Sequence, residues 1–478
     1  MTTIKPLYIG GEWVDGARAE PNVNPSDLSD IVGHYAWANE AMVATAVAAA
    51  QAARPAMAAL GIQARAEALD TIGTEILARR AELGDLLARE EGKPLAEATG
   101  EVARAGHIFK FFAGEALRLD GIRMDSVRPG VEVTTLTEPL GVVGLITPWN
   151  FPIAIPAWKI APALAAGNSV VFKPGEQAPA CAWALTEIIH RAGLPAGAFN
   201  LVMGGRDIGK ALVRHPGLDG VSFTGSARAG ASVLTDTAAR QTRVQLEMGG
   251  KNPLVVLDDA DLAVAWDCAI QGAYFSTGQR CTASSRLIVQ RGVLDRFIDG
   301  LVSRIEALVV DDARKAGTQI GPVVDATQLT KDREYIDIGR QEGATLACGG
   351  FELERPTRGH YLSPALFVNA TADMRIAREE IFGPVACVIP ADDYDHALAL
   401  ANDTPYGLSS GICTTSLRAA NHFRRHSQSG IVTVNLPTAG IDYHVPFGGH
   451  KASSHGPREQ GHQALEFYTH GKTTYTAF

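Results

Sequence analysis

The chain lacks a basic surplus, a long apolar run and any paired cysteine motif. Lysine and arginine number 43 against 52 aspartates and glutamates, a formal net charge of −9. Nucleic-acid and anionic-membrane binders carry the opposite balance, so neither partner is expected. The longest apolar stretch, Met42 to Ala50, is alanine-rich and gives way to Gln51, Arg54 and Pro55. It is too short to span a bilayer and reads as a soluble helix. Met1-Thr-Thr-Ile-Lys has no apolar core behind it, so no secretory leader is expected. The six cysteines are scattered, with no Cys-x-x-Cys. That excludes a zinc ribbon and argues for reduced thiols in a cytoplasm, with no metal site.

What the chain does have is length and glycine. Its 478 residues, 49 of them glycine, suggest about three domain-sized units rich in tight strand-to-helix turns. Residues 8–15 read as a hairpin around Gly10-Gly11. From Glu40 to Leu119, apolar residues recur at helical spacing, as in Ala66, Leu69 and Ile72, with Glu101, Arg104 and Lys110 between them. Residues 127–143 and the tail from Lys472 to Phe478 alternate and are rich in threonine or valine, which suggests extended strands. As isolated β segments they invite pairing with another subunit.

Between 141 and 247 short apolar runs alternate with helical stretches. The runs are Gly141–Ile146, Ser169–Phe172, Phe199–Val202, Gly220–Phe223 and Arg243–Leu246. This spacing predicts βαβ units and a parallel sheet, an α/β fold. Ligands of such sheets bind at the carboxyl ends of the strands, so the residues after each run are the informative ones. They are Thr147-Pro-Trp-Asn150, Lys173-Pro-Gly-Glu176, Thr224-Gly-Ser226 and Glu247-Met-Gly-Gly-Lys-Asn252. A second αβ block, from about 253 to 440, holds Gly278-Gln-Arg-Cys281 and Glu380-Ile-Phe382-Gly-Pro384.

Taken singly these are modest signals. Gly225-x-x-x-x-Gly230 is a common strand-to-helix turn, here in a context where helix N–H groups would hold a pyrophosphate. Lys173 and Glu176 read either as a solvated pair or as contacts to ribose hydroxyls. A lone cysteine is more often inert packing than a nucleophile, which needs a base and an oxyanion partner. Glu247 and Asn150 are the candidates for those two roles.

Together, in order, the segments resemble the aldehyde dehydrogenase superfamily over nearly the whole chain. Pro148-Trp-Asn-Phe-Pro, Phe172-Lys-Pro-x-Glu, Phe223-Thr-Gly-Ser, Leu246-Glu-x-Gly-Gly-Lys, Gly278-Gln-x-Cys, Glu380-Ile-Phe-Gly-Pro and Pro446-Phe-Gly-Gly carry the resemblance. It implies an NAD-binding Rossmann-like domain at 1–126 and 144–248, a catalytic domain at 249–440, and an oligomerisation β extension at 127–143 and 460–478. It implies a homodimer or homotetramer, with the tail strand joining a neighbour's sheet.

The implied reaction is oxidation of an aldehyde to its acid with NAD, NADP being the alternative. Cys281 matches the nucleophile, Asn150 the oxyanion donor, Glu247 the base, and Lys173 a further catalytic position. Ile146, Thr147, Pro148, Trp149, Lys173, Glu176, Gly205, Gly209, Phe223, Thr224, Gly225, Ser226, Gly249, Glu380 and Phe382 match cofactor contacts. Phe151, Ile155, Trp158, Arg280, Thr282, His444 and Phe447 match the substrate pocket, and Arg280 is expected to pair with a distal carboxylate. The phrases from Phe151 to Lys159 and from Ile441 to Gly449 are similar to α-ketoglutarate-semialdehyde (2,5-dioxopentanoate) dehydrogenases. Trp158 departs from the arginine that some enzymes of that activity carry there. Succinate or glutarate semialdehyde, or broad aliphatic and aromatic aldehydes, are the alternatives.

Overall fold

The computed structural model describes residues 3–478. The alanine-rich region folds as four helices, Glu40–Ala59, Gly61–Ala78, Arg80–Glu91 and Leu95–Ala116. Asn39 caps the first by accepting a bond from the Met42 amide (3.0 Å). The stripe of Ala66, Leu69, Ile72 and Ile76 is buried in the first core. Gly92, at φ 88°, ends the third helix in the left-handed conformation. The chain then turns and carries Lys93 into the interior. Among the described residues no single helix is long and apolar enough to cross a membrane.

The five apolar runs form the parallel centre of an eight-stranded sheet. Its order is Ser454–His455, Arg243–Glu247, Gly220–Thr224, Val142–Ile146, Ser169–Lys173, Phe199–Leu201, Leu7–Ile9, Glu12–Val14. The three middle strands, buried at every residue, read as continuous apolar runs because helices cover both faces. Register pairs Ile146 with Lys173, Ile146 with Phe223, and Thr224 with Glu247. Residues far apart in sequence therefore share one edge. Chain order reverses between Val142–Ile146 and Gly220–Thr224, the kind of switch point that opens a crevice.

The chain leaves this sheet at Glu247 and enters a second at Pro253. That sheet has seven strands, all parallel except Thr345–Cys348. Leu254 and Val256 face one core while Val255 and Leu257 face another, so it too is covered on both sides. Cys281, Glu380 and Asn252 precede the amino ends of its strands Arg286–Gln290, Val385–Ala391 and Pro253–Val256. Carboxyl ends of one sheet thus meet amino ends of the other.

The suspected isolated strands are not isolated. Thr469–Ala477 pairs antiparallel with Val131–Pro139 of the same chain along its whole length, and Arg123–Asp125 adds a third strand. The divisions drawn from sequence also shift. Residues 464–468 form a helix buried in the first core, and Val142 belongs to the large sheet rather than to the extension. A further three-stranded sheet, Ile4–Lys5, Ile31–Trp37 and Arg18–Val23, had no clear pattern in the sequence.

Candidate active site

One segment, Ile146 to Phe151, runs between two cavities. The larger, about 410 Å³, is lined by Ile146, Thr147, Pro148 and Trp149, by Lys173 and Glu176, by Gly209, and by Phe223, Thr224, Gly225 and Ser226. Apart from Gly209, on the helix Arg206–Arg214, these are strand ends and the turns behind them. Ser226 caps the twelve-residue helix Ala227–Ala238, accepting from the Ala229 amide at 3.3 Å. Gly225 leaves no space for a side chain, because a Cβ there would lie 2.5 Å from the Phe223 ring. Gly205 does not line the cavity but starts the next helix beside Glu176, where a Cβ would lie 3.0 Å from Oε2. Burial pulls the Lys173 amine down to about 8, with Glu176 and Asp207 opposing. Lys173 lines this cavity and not the one at the thiol. Arg206, Lys210 and Arg228 also face the space, unforeseen because basic residues on exposed helices look like ordinary solvated faces.

The smaller cavity, about 140 Å³, contains the cysteine. Of the six free cysteines, five are buried and Cys281 is partly open. The turn before it is tight. Ser276, Thr277 and Gly278 all have positive φ (52°, 58° and 66°), and a Cβ on Gly278 would lie 2.3 Å from the Gly383 carbonyl. Glycine is required there. Asn252 Nδ2 donates to the carbonyls of Cys281 (2.7 Å) and Ala283 (3.0 Å), and its Oδ1 accepts from the Ser409 amide (3.0 Å). The cysteine loop is thereby pinned to the second sheet.

Asn150 is buried against the same loop, its Nδ2 donating to the Gln279 carbonyl (2.8 Å). An amide nitrogen has two hydrogens, so one donor remains for a substrate oxygen. Beneath Asn150 lies a buried polar knot. Lys93 Nζ donates to the Asn150 carbonyl (2.6 Å) and to Glu101 Oε2 (2.6 Å), and sits 3.9 Å over the Phe151 ring. Glu101 Oε1 accepts from the amides of Ile153 (3.0 Å) and Ala154 (3.1 Å), satisfying the start of the next helix. Sequence reading placed Glu101 only among the polar residues between the apolar helix positions and did not single out Lys93. The only signal was a lysine after a helix-ending glycine.

Glu247 is buried near enough to the thiol to act on its charge. Its Oε2 accepts from Ser454 Oγ (2.6 Å), and Oε1 has no partner among the described residues. Burial, then Glu459, raises its carboxyl well above the usual range, against Ser454, Lys159 and Arg458. Burial, with Glu380 and Glu247 adding, pushes the Cys281 thiol up to about 12. Glu380 is also raised by burial; its Oε1 accepts from the Gly250 amide (2.9 Å). Its oxygens would lie 2.2 Å from a Cβ on Gly249, which must be glycine for that approach. Phe382 stands edge-on to Trp149 of the larger cavity, ring centroids 5.5 Å apart, while Gly249, Glu380 and Phe382 themselves line neither cavity.

Phe151, Trp158, Arg280, Thr282 and Phe447 line the smaller cavity. Trp158 and Phe447 stack at 5.3 Å. Three expectations need correction. His444 is exposed and packs on Tyr443 instead of lining the cavity. Ile155 is buried in the first core. Arg280 is already paired: its guanidinium binds Glu97, and Nε donates to Ser276 Oγ (3.0 Å). It braces the loop that carries Cys281 while also lining the small cavity. The lining also includes Arg104, Ala154 and the segment 439–441, which the sequence did not mark.

A family model described as "Aldehyde dehydrogenase family" matches residues 13–474. The chain is 44% identical to an α-ketoglutarate semialdehyde dehydrogenase of Haloferax volcanii, over 100% of both chains. It is 42% identical to an α-ketoglutaric semialdehyde dehydrogenase of Bacillus subtilis, over 98% of this chain and 97% of that one. Among solved structures, betaine aldehyde dehydrogenase of Staphylococcus aureus in complex with NAD+ superimposes with a TM-score of 0.96 at 33% identity. That match covers 99% of this chain and 94% of the other. A nucleophile candidate, an amide donor and a buried carboxylate converge where the two sheets meet, and the match runs end to end: the chain belongs to the aldehyde dehydrogenase family.

Proposed function

We propose that the enzyme oxidises α-ketoglutarate semialdehyde to the dicarboxylic acid with NAD. The observation that carries the chemistry is the grouping around Cys281: the thiol lines the small cavity, Asn150 donates to the loop that carries it, and Glu247 is near enough to act on its charge. The two full-length relatives named for that substrate support the choice of aldehyde. The cavity size agrees, because about 140 Å³ is near that of a site that admits benzene and suits a short chain.

The larger cavity fits a dinucleotide. Lys173 and Glu176 offer a donor and an acceptor for ribose hydroxyls. The helix start at Ser226, with Arg206, Lys210 and Arg228 nearby, suits a pyrophosphate. Glu176 disfavours a phosphate on the ribose 2′ position, which makes NAD the preferred cofactor. When bound, the dinucleotide removes the hydrogen of the aldehyde carbon with its bonding electrons.

The chain's own residues do the rest. Cys281 Sγ, its proton passing to solvent water, bonds to the aldehyde carbon. A thiolate of high pKa is rare at neutral pH but strongly nucleophilic once formed. The spare Asn150 N–H and the Cys281 backbone N–H hold the carbonyl oxygen as it gains charge. Oxidation leaves a thioester on Cys281. Glu247, as a carboxylate, takes a proton from water as the water attacks that thioester; the C–S bond breaks, the acid leaves, and Glu247 returns the proton to the sulfur. Acylating relatives pass the thioester to a thiol and lack this base, so its presence favours hydrolysis.

We assign the first sheet and its helices to cofactor binding and the second to catalysis. The sheet of Arg123–Asp125, Val131–Pro139 and Thr469–Ala477 is the oligomerisation element: it presents Leu136, Tyr475 and an open strand edge to solvent, as a dimer or tetramer contact would need. Six free thiols suit a reducing cytoplasm.

A matrix of kcat/KM values tests the reading, pairing acid-bearing aldehydes with uncharged analogues under NAD and NADP. The acid end is expected to be worth at least about tenfold, or 1.4 kcal/mol. A smaller advantage would overturn the substrate, and a higher kcat/KM with NADP would overturn the cofactor preference.

A further inference from the structure

We propose that Arg104, and not Arg280, receives the distal carboxylate of the substrate. The proposal rests on the acid-aldehyde reading above. Arg104 lies on the helix Leu95–Ala116, three residues after the buried Glu101, and lines the same small cavity as Cys281. Its Nη1 donates to the Ile441 carbonyl and its Nη2 to Gln460 Oε1 (2.8 Å). Both acceptors are neutral, so they orient the guanidinium without neutralising it. Its Nε is buried with no partner among the described residues.

The charged groups that bear on Arg104 are Glu101 and Asp442. Glu101 is committed to Lys93 and to the amides of Ile153 and Ala154. Asp442 is exposed, where water screens it. Arg104 therefore forms no ion pair among the described residues, whereas Arg280 is matched to Glu97. A half-buried cation with an unsatisfied donor is costly unless something completes it. The rest of the wall includes Phe151, Ala154, Trp158 and Phe447, which offer a carboxylate no countercharge. A substrate with its aldehyde carbon at Cys281 and an acid at the other end supplies the missing anion to Arg104. The Gln460 side chain, itself fully buried, holds the guanidinium in place for it.

The test compares wild type, Arg104→Met, Arg104→Lys and Arg280→Met on α-ketoglutarate semialdehyde, glutarate semialdehyde and pentanal. The readout is the ratio of kcat/KM for each acid to that for pentanal. A hydrogen-bonded charge pair of this kind predicts a fall of about 30-fold in that ratio for Arg104→Met, mostly in KM, with part recovered by lysine. Arg280→Met is expected to lower all three aldehydes together, because it releases the nucleophile loop. An unchanged ratio in Arg104→Met, or a collapse found only in Arg280→Met, overturns the proposal. A wild-type ratio below tenfold instead overturns the acid-aldehyde reading beneath it. Should the methionine variant not fold, glutarate as an inhibitor of pentanal oxidation gives a second readout in Arg104→Lys and Arg104→Gln. Its Ki is expected to rise in both, and an unchanged Ki overturns the proposal.

Discussion

The two cavities that share the segment Ile146–Phe151 are built in opposite ways. The larger takes its walls largely from consecutive strand ends of one parallel sheet and from the helices that follow them. The smaller draws on the helix carrying Arg104, the segment from Phe151 to Trp158, the loop 280–282 and the stretch 439–447. The first is a product of register. The second exists only when distant elements pack together. A cavity built from register is fixed by short local motifs, while one built by convergence is free to change one wall at a time.

The sharpest test of that separation is Cys281→Ala. Removing the nucleophile should lower aldehyde oxidation by about 10⁴-fold or more, as loss of such a group does elsewhere. Dinucleotide affinity, measured by fluorescence titration, should stay within about twofold, since no atom of the larger cavity's wall has changed. Lost affinity would mean that the two cavities are one unit.

Glu247→Gln comes next. Acylation needs no water, so the variant should release about one NADH per active site in a burst. Steady turnover should then fall by about 10²- to 10³-fold, the scale of a lost general base. Stopped-flow absorbance separates the phases. Steady turnover at the wild-type level would assign the proton transfer to another group.

A smaller effect probes the electrostatics of the thiol. Burial, Glu380 and Glu247 raise the Cys281 pKa to about 12, which favours the protonated form in the folded, ligand-free protein. Alkylation by iodoacetamide requires thiolate, so its rate should climb with pH about tenfold per unit, roughly a hundredfold from pH 8 to pH 10. A plateau below pH 9 would show that the carboxylates do not act on the sulfur as the geometry indicates.

The strand positions were legible because buried parallel strands leave an unmistakable trace. Val142–Ile146, Ser169–Lys173 and Gly220–Thr224 each lie within a residue or two of an apolar run. The polar residues just after those runs lie at the sheet edge for the same reason. Lys93 and Glu101 were not legible, because a charged residue on a helix looks the same in sequence whether it meets solvent or a buried partner. Arg280 misled for a related reason. Its place beside the nucleophile suggested a substrate contact, yet Glu97, remote in sequence, takes its charge. The tail strand was read correctly as extended, while its pairing with Val131–Pro139 of the same chain is a long-range contact that no local pattern encodes.

The sequence by itself marked the two αβ blocks and singled out Cys281, Asn150 and Glu247 as candidates, since periodicity and ordered motifs are local properties. Only the tertiary structure decided which charges are spent and which are free. An arginine's role depends on the carboxylates within reach of it, and those arrive from other elements. Glu97 pairs with Arg280, while Lys93 engages Glu101, and Arg104 lines the cavity with no ion pair among the described residues.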